Sequence, residues 1–190
     1  INFFSFYHNY NIYNILFLIY KKNYIKYLKI FKIYILMTNL ETDMIVEIPY
    51  NSKIKYEYDD IINKLRVDRV LNTSMLYPGN YGYIPKTLSG DGDPLDVLLV
   101  TEYALDPGTI IKVRIIGILY TIDEKGSDEK IIAVPAKSVD NSYEKIKNLN
   151  DLSESCLKKI KHFFNHYKDN DKNKWVLVKN FGDSEDALNI

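Results

Sequence analysis

Cysteine is almost missing from this chain: Cys156 stands alone, which excludes an intrachain disulfide and any CxxC zinc or redox site. A lone thiol is compatible with a reducing compartment, and the cytoplasm is the expected location. There is no Walker A sequence and no GxGxxG, which argues against a glycine loop cradling a nucleotide. No clean apolar span is present either. The longest uncharged stretch, residues 1–20, is interrupted by asparagines and tyrosines and is marginal for the roughly 20 apolar residues a membrane helix needs. Stable membrane association is therefore not expected.

Glycine, proline, aspartate and glutamate are absent from the first 40 residues, where seven of the 17 tyrosines and five of the eight phenylalanines fall. Five lysines follow the uncharged stretch, whereas a signal peptide places its positive charge first and ends at a small-residue cleavage site. Composition shifts near Glu41. The expectation is that Met37 is the start and that residues 1–36 are a translated upstream region or a poorly ordered extension, with one domain over 41–190. The formal net charge is zero, but because the first 40 residues carry five of the 25 basic residues and no acid, the remainder stands at −5. That excess of acid weakens any case for nucleic-acid binding by general positive charge.

Beyond residue 40 the pattern is that of short strands. Residues 44–48, 54–58, 65–70, 97–101, 110–120, 131–135 and 175–179 alternate or carry β-branched residues, with Asp106-Pro107-Gly108 and Lys125-Gly126-Ser127-Asp128 as turns. Many short strands separated by turns predict a small antiparallel barrel. One segment departs from this pattern: Cys156, Leu157, Ile160, Phe163, Phe164 and Tyr167 recur at helical spacing, and Asp151 with Glu154 resembles an N-cap box. An amphipathic helix packed on the barrel is expected there.

The most informative segment is Gly90-Asp91-Gly92-Asp93-Pro94-Leu95-Asp96, three carboxylates ahead of the apolar run Val97-Leu98-Leu99-Val100. Like charges this close repel by roughly 1 to 4 kcal/mol per pair at about 4 Å, so a cation is needed among them. Carboxylate oxygens suit Mg²⁺, Mn²⁺ or Ca²⁺ better than zinc. Gly90 and Gly92 are expected to allow positive φ, and Pro94 to stiffen the turn. An EF-hand fails because Leu95 takes the fifth position of the loop. An aspartyl-phosphate enzyme normally places its nucleophile at the end of a parallel strand in an α/β fold, and this chain does not alternate strand and helix.

A second acidic pair, Asp123 and Asp128, flanks a charged turn that would otherwise read as a solvated tip. Lys55, Arg69, Tyr77, Tyr81, Lys130, Tyr167 and Lys168 could face phosphate oxygens, Arg as a planar fork and Lys as a point charge. Taken singly, Lys168 could only oppose a helix dipole and Tyr167 could only end an apolar face. His162 and His166 lie one helical turn apart, but without an HExxH glutamate or a nearby third ligand they read as surface or packing residues. Cys156 lies on the apolar helix face.

From Ile45 to about Phe181 the chain resembles the soluble family I inorganic pyrophosphatases of the compact bacterial type. The resemblance rests on Asp91-Gly92-Asp93-Pro94-Leu95-Asp96-Val97, and it continues through Val46-Glu47-Ile48-Pro49, Lys55-Tyr56-Glu57, Val67-Asp68-Arg69, Tyr77-Pro78-Gly79-Asn80-Tyr81-Gly82-Tyr83, Asp123-Glu124, Asp128-Glu129-Lys130 and His166-Tyr167-Lys168-Asp169. It implies a mainly β fold with flanking helices, an OB-like five-stranded antiparallel barrel, that hydrolyses pyrophosphate to two phosphates with several Mg²⁺ ions. Under that resemblance Asp91, Asp96 and Asp128 bind the activating metals, with Asp96 bridging two of them across the attacking water. Asp123, shared with Asp128, and Glu57 hold ions arriving with substrate, and Asp93 accepts the proton. Lys55, Arg69, Tyr81, Lys130, Tyr167 and Lys168 grip phosphate oxygens, while Glu47, Asp68, Tyr77 and Glu124 support them.

The resemblance further implies a homo-oligomer, a hexamer among bacterial members. The first 40 residues have no counterpart in it, and members commonly continue past the position of Ile190 into a last helix, which the chain is expected to lack. Two alternatives compete: a barrel that binds nucleic acid or phosphate without catalysis, which the acidic cluster opposes, and a metal-dependent phosphatase acting on larger phosphate esters.

Overall fold

The structure, a computed structural model, describes residues 40–59, 61–90 and 92–190. The extension, the Met37 start and Asp91 thus lie outside the described residues, apart from Leu40, whose carbonyl accepts the Ile115 N–H at 2.7 Å. Among the described residues nine strands form in order: β1 Glu41–Ile48, β2 Ile54–Asp59, β3 Lys64–Val70, β4 Asn80–Tyr83, β5 Asp96–Leu99, β6 Ile110–Asp123, β7 Gly126–Ser127, β8 Lys130–Pro135 and β9 Val176–Gly182. Helices α1, Glu154–His166, and α2, Ser184–Leu188, complete the set. All seven expected strands are present. Five strands close a ring in which β1 pairs with β4, β4 with β5, β5 with β8, β8 with β6 and β6 with β1. Closure removes the free sheet edges that invite mispairing. The expected OB-like barrel is realised with one non-antiparallel pair, since β5 and β8 run parallel.

The inner strands are apolar on both faces. All six residues of β8 are buried, and alternate residues divide between two clusters: Ile132 and Val134 pack with Leu98 beneath α1, while Ile131 and Ala133 pack with Val97, Leu99 and Ala187. Double-sided burial explains why these segments read as continuous apolar runs. Ile160, Phe163 and Phe164 are the buried face of α1, and each such side chain contributes roughly 2 kcal/mol of hydrophobic stabilisation.

Two local expectations are corrected. The cap of α1 is Ser153, whose hydroxyl accepts the Cys156 N–H at 3.1 Å. Asp151 is already engaged: its carboxylate accepts the Lys147 and Asn148 N–H groups and completes a capping box with Asn148 on the 3-10 turn Leu149–Asp151. In the acidic loop Gly92 takes positive φ (92°), whereas Gly90 does not.

Strand β4 was not foreseen, because Pro78, Gly79, Asn80 and Gly82 carry turn chemistry. Asn80 is buried with both ends of its amide satisfied: Nδ2 donates to Thr101 Oγ1 and the Tyr103 carbonyl, and Oδ1 accepts from the Tyr50 and Leu105 N–H groups. Gly82 meets β1 so closely that an added Cβ would lie 1.9 Å from the Ile45 carbonyl oxygen. Gly82→Ala is therefore expected to destabilise the barrel by about 3 kcal/mol through overpacking against immovable backbone. Urea unfolding followed by circular dichroism checks this, and an unchanged midpoint would show that β1 and β4 can part at no cost.

Candidate active site

The parallel pairing of β5 with β8 sets the centre of the site, because Asp96 and Lys130 are direct register partners at the heads of the two strands. Lys130 is almost fully buried, with Nζ 2.5 Å from Asp96 Oδ2 and also bonded to Asp128. Asp128 in turn is fixed by its N–H donating to the Thr121 carbonyl at 3.0 Å. One strand away, Asp123 ends β6. Its Oδ1 accepts the Lys125 N–H, and its Oδ2 accepts from Lys168 Nζ at 2.8 Å, an ion pair buried on both sides.

Lys168 follows the C-cap residue Tyr167 and lies 3.5 Å from Glu124, which accepts the Trp175 N–H. The opposite wall is the separate two-stranded ribbon β2–β3, where Lys55 and Arg69 are register partners. Lys55 contacts Glu57 and reaches Asp68 at 3.4 Å, and Arg69 Nη1 donates to Asp68 at 2.6 Å. Glu47 on β1 ties that ribbon to the barrel by accepting the Tyr58 N–H at 2.9 Å.

These groups line one cavity of about 460 Å³ together with Asp93 and Tyr81. Every expected site residue among the described ones is on its wall except Tyr77, which lies behind it with its ring 5.4 Å from Tyr81 and 4.7 Å from Phe163. Tyr58, Tyr83, Pro94, Lys125 and Lys174 also line it and carry no role in the sequence reading, although Tyr83, the register partner of Asp96, and Pro94 sit in segments that the motifs mark and Lys125 sits in the charged turn. The rings of His162 and His166 lie 4.7 Å apart and tilted, and His166 holds Asp169, all away from the cavity. Cys156 is half-buried against the α1 core.

Eight carboxylates and six lysine or arginine side chains face the cavity, leaving negative charge in excess. Burial pushes the Glu47 carboxyl up to about 7, with Asp96 and Glu57 adding to the effect against Lys55. Burial also raises Asp128, beyond what Lys130 offsets. At Asp123 burial is outweighed by Lys168 and the Lys125 N–H, so its pKa falls. For Lys130 burial opposes the charge, but Asp96 and Asp128 outweigh it and the pKa rises. Tyr81 and Tyr167, raised well above the usual phenol value by burial, remain neutral donors.

The donor set fits hard divalent cations. Among the described residues no three acidic, histidine or cysteine side chains converge into a closed cage. Mg²⁺ does not require one, since it keeps several waters and takes one or two carboxylates plus substrate phosphate oxygens. Carboxylates with raised pKa beside paired lysines are what such an ion would relieve.

A β-barrel that gathers hard anionic donors and fixed cations in one open cavity belongs to the class that handles a small polyanion together with divalent metal. Residues 44–190 match the family model described as inorganic pyrophosphatase, and the chain belongs to that family. It is 54% identical over 147 residues to the inorganic pyrophosphatase of Sulfolobus acidocaldarius, covering 77% of this chain and 85% of that one. It is 53% identical over 150 residues to that of Rickettsia prowazekii, covering 78% and 87%. The solved inorganic pyrophosphatase of Helicobacter pylori superposes with a TM-score of 0.77 at 45% identity, covering 78% and 88%.

Glu47 provides a pH test. Its folded pKa of about 7 lies above the ordinary value of 4.5, so its neutral form stabilises the fold fully below the lower value and that contribution is lost as pH rises through the higher one. In EDTA, raising the pH from about 5 to about 8 is expected to lower the Tm of the unaltered chain more than that of Glu47→Gln, a difference of no more than about 3 kcal/mol. Thermal melts check it, and parallel slopes would mean that Glu47 titrates normally.

Proposed function

We propose that the chain hydrolyses inorganic pyrophosphate to two orthophosphates, with Mg²⁺ as cofactor and Asp93 as general base. The observation that supports this is the convergence of eight carboxylates with lysine, arginine and tyrosine side chains on one cavity, in a member of the inorganic pyrophosphatase family. Asp96, Asp128, Asp123 and Glu57, with Asp91 from the same acidic loop, would hold the ions. When bound, the ions withdraw negative charge from the substrate and acidify the nucleophilic water.

The chain's own groups do the rest. Lys130 and Lys168 enter the site fixed by carboxylates, so their charge needs no reorganisation when it stabilises the leaving phosphate. Lys55 and Arg69 grip the substrate from the ribbon side, Arg69 through a planar fork. Tyr81 and Tyr167, held neutral by burial, donate hydrogen bonds to phosphate oxygens, keeping the substrate in line for displacement. Asp93, exposed on the loop ahead of β5, takes the proton of the attacking water on a carboxylate oxygen. That loop is braced where Thr87 Oγ1 donates to the Ile84 carbonyl and accepts the Leu95 N–H, and where Ser89 N–H donates to the Asp93 carbonyl.

Glu47, Asp68, Tyr77 and Glu124 support these groups. A cytoplasmic homo-oligomer that binds neither nucleic acid nor membrane is part of the same proposal. The acid excess in the cavity supports the first exclusion, and no helix among the described residues is long and apolar enough to cross a membrane.

Phosphate release from pyrophosphate by the full chain is expected with Mg²⁺ and not with EDTA; faster release from a sugar phosphate would reverse the substrate assignment. Asp93→Asn is expected to lower kcat by roughly 10²- to 10⁴-fold while leaving Mg²⁺ binding intact. Asp96→Asn is expected to weaken Mg²⁺ binding and turnover together. Trp175, the single tryptophan, follows the cavity residue Lys174 and bonds Glu124, so its fluorescence reads Mg²⁺ binding apart from activity. Full activity in Asp93→Asn would remove it as the base.

A further inference from the structure

Two polar atoms at the edge of the site are shielded from water and have no hydrogen-bond partner, Arg69 Nε and Asp171 Oδ2. They lie 3.6 Å apart, as an ion pair. Few buried polar atoms in native proteins lack a partner, so each that does calls for a reason. Arg69 lines the cavity and Asp171 stands behind it. The two residues come from different parts of the fold: Arg69 from the ribbon strand β3, and Asp171 from the turn after α1, three residues past Lys168.

That turn is well braced. The Asp171 N–H donates to the Lys168 carbonyl at 2.8 Å, and the Asp171 carbonyl accepts the Lys174 N–H at 3.2 Å. Beside the ion pair, Asn72 Nδ2 donates to the Asn170 carbonyl at 3.1 Å and Asn170 Nδ2 donates to the Asn72 carbonyl at 2.7 Å, clasping segments 98 residues apart.

We propose that Asp171 is a positioning residue: held by its turn and by the Asn72–Asn170 clasp, its carboxylate sets the Arg69 guanidinium at the place where it meets a substrate phosphate group. This rests on the assignment of Arg69 to substrate phosphate. Asp68 holds the Nη1 edge of the guanidinium and Asp171 holds the Nε edge, so a long flexible side chain is restrained from two sides before substrate arrives. Restraint of this kind lowers the ordering cost of binding. A separation of 3.6 Å is too long for a hydrogen bond, so Asp171 attracts Arg69 while leaving it free to shift slightly onto a phosphate oxygen.

The test is steady-state hydrolysis of pyrophosphate in saturating Mg²⁺ by the full chain, comparing Arg69→Lys, Asp171→Asn, Asp171→Ala and the double variant Arg69→Lys with Asp171→Asn. Asp171→Asn keeps side-chain size and is expected to raise KM about 10-fold with a smaller change in kcat and an unchanged Tm. In the Arg69→Lys background it is expected to add nothing, because the group it positions is gone. Should Asp171→Ala unfold, Asp171→Asn carries the comparison. If Arg69→Lys raises KM while Asp171→Asn leaves it unchanged, or if the two effects add in the double variant, Asp171 does not act through Arg69. If Arg69→Lys itself leaves KM unchanged, the phosphate role of Arg69 fails, and the proposal fails with it by a separate signature.

Discussion

The parallel pairing of β5 with β8 is the constraint on which the site depends. Parallel neighbours begin at the same edge of a sheet, so the residues that open them, Asp96 and Lys130, stand side by side, and the segments leading into them are delivered to one rim. Had the pair been antiparallel, the head of one strand would have met the tail of the other, separating the acidic loop from Asp128. A parallel pair needs a crossover connection, which here runs through β6, itself antiparallel to β8 and long enough to reach β9 with its second half. The same crossover brings Asp123 at the end of β6 to the rim already formed by Asp96 and Lys130.

Around that rim the electrostatics favour placement over stability. A buried ion pair gains little once desolvation is counted, but removing one partner strands the other and costs about 3–5 kcal/mol. Lys130 with Asp96 and Asp128, and Lys168 with Asp123, are therefore positions that the fold holds firmly without deriving much stability from them. The charges do not balance even so. Asp128 stays raised with Lys130 against it, and Glu47 stays raised although it accepts a backbone N–H. The folded chain thus carries carboxylates that its own cations do not neutralise, the condition under which a divalent ion binds with net gain.

Much of this was legible in the residues because the local signals agreed. Acids flanked by Gly and Pro ahead of a β-branched run mark a rigid rim, and alternation marks the strands. Where local and tertiary signals diverged, the sequence misled. Gly82 and Asn80 carry turn chemistry, yet serve a strand whose close approach to β1 tolerates no Cβ and whose asparagine replaces missing backbone partners. Asp151 matched a cap pattern three residues before Glu154, but its carboxylate was committed to the preceding turn, leaving Ser153 to cap the helix. The parallel pair has no local signature at all, since it is decided by which strands close the ring. Asp171 has none either: it is a charged turn residue whose ion-pair partner, Arg69, comes from a distant segment.

The two halves of the cavity rest on different foundations. Asp96, Asp123 and Lys130 project from strands of a closed barrel with buried side chains on both faces, and Asp128 from the short link between β7 and β8, so their positions share the cooperativity of the whole core. Lys55, Glu57, Asp68 and Arg69 project from β2–β3, a two-stranded ribbon of a kind that is marginally stable alone. Its placement rests on a few polar ties, among them Tyr58 N–H to Glu47, Tyr77 N–H to the Ser52 carbonyl and the Asn72–Asn170 clasp. Changes at the molecule's periphery therefore reach the ribbon wall, with Lys55, Glu57, Asp68 and Arg69, more readily than the barrel wall, with Asp96, Asp123 and Lys130. A wall held by a few polar ties can also adjust to the substrate without disturbing the barrel, and the ion pair of Arg69 with Asp171, just beyond hydrogen-bond length, has that kind of slack.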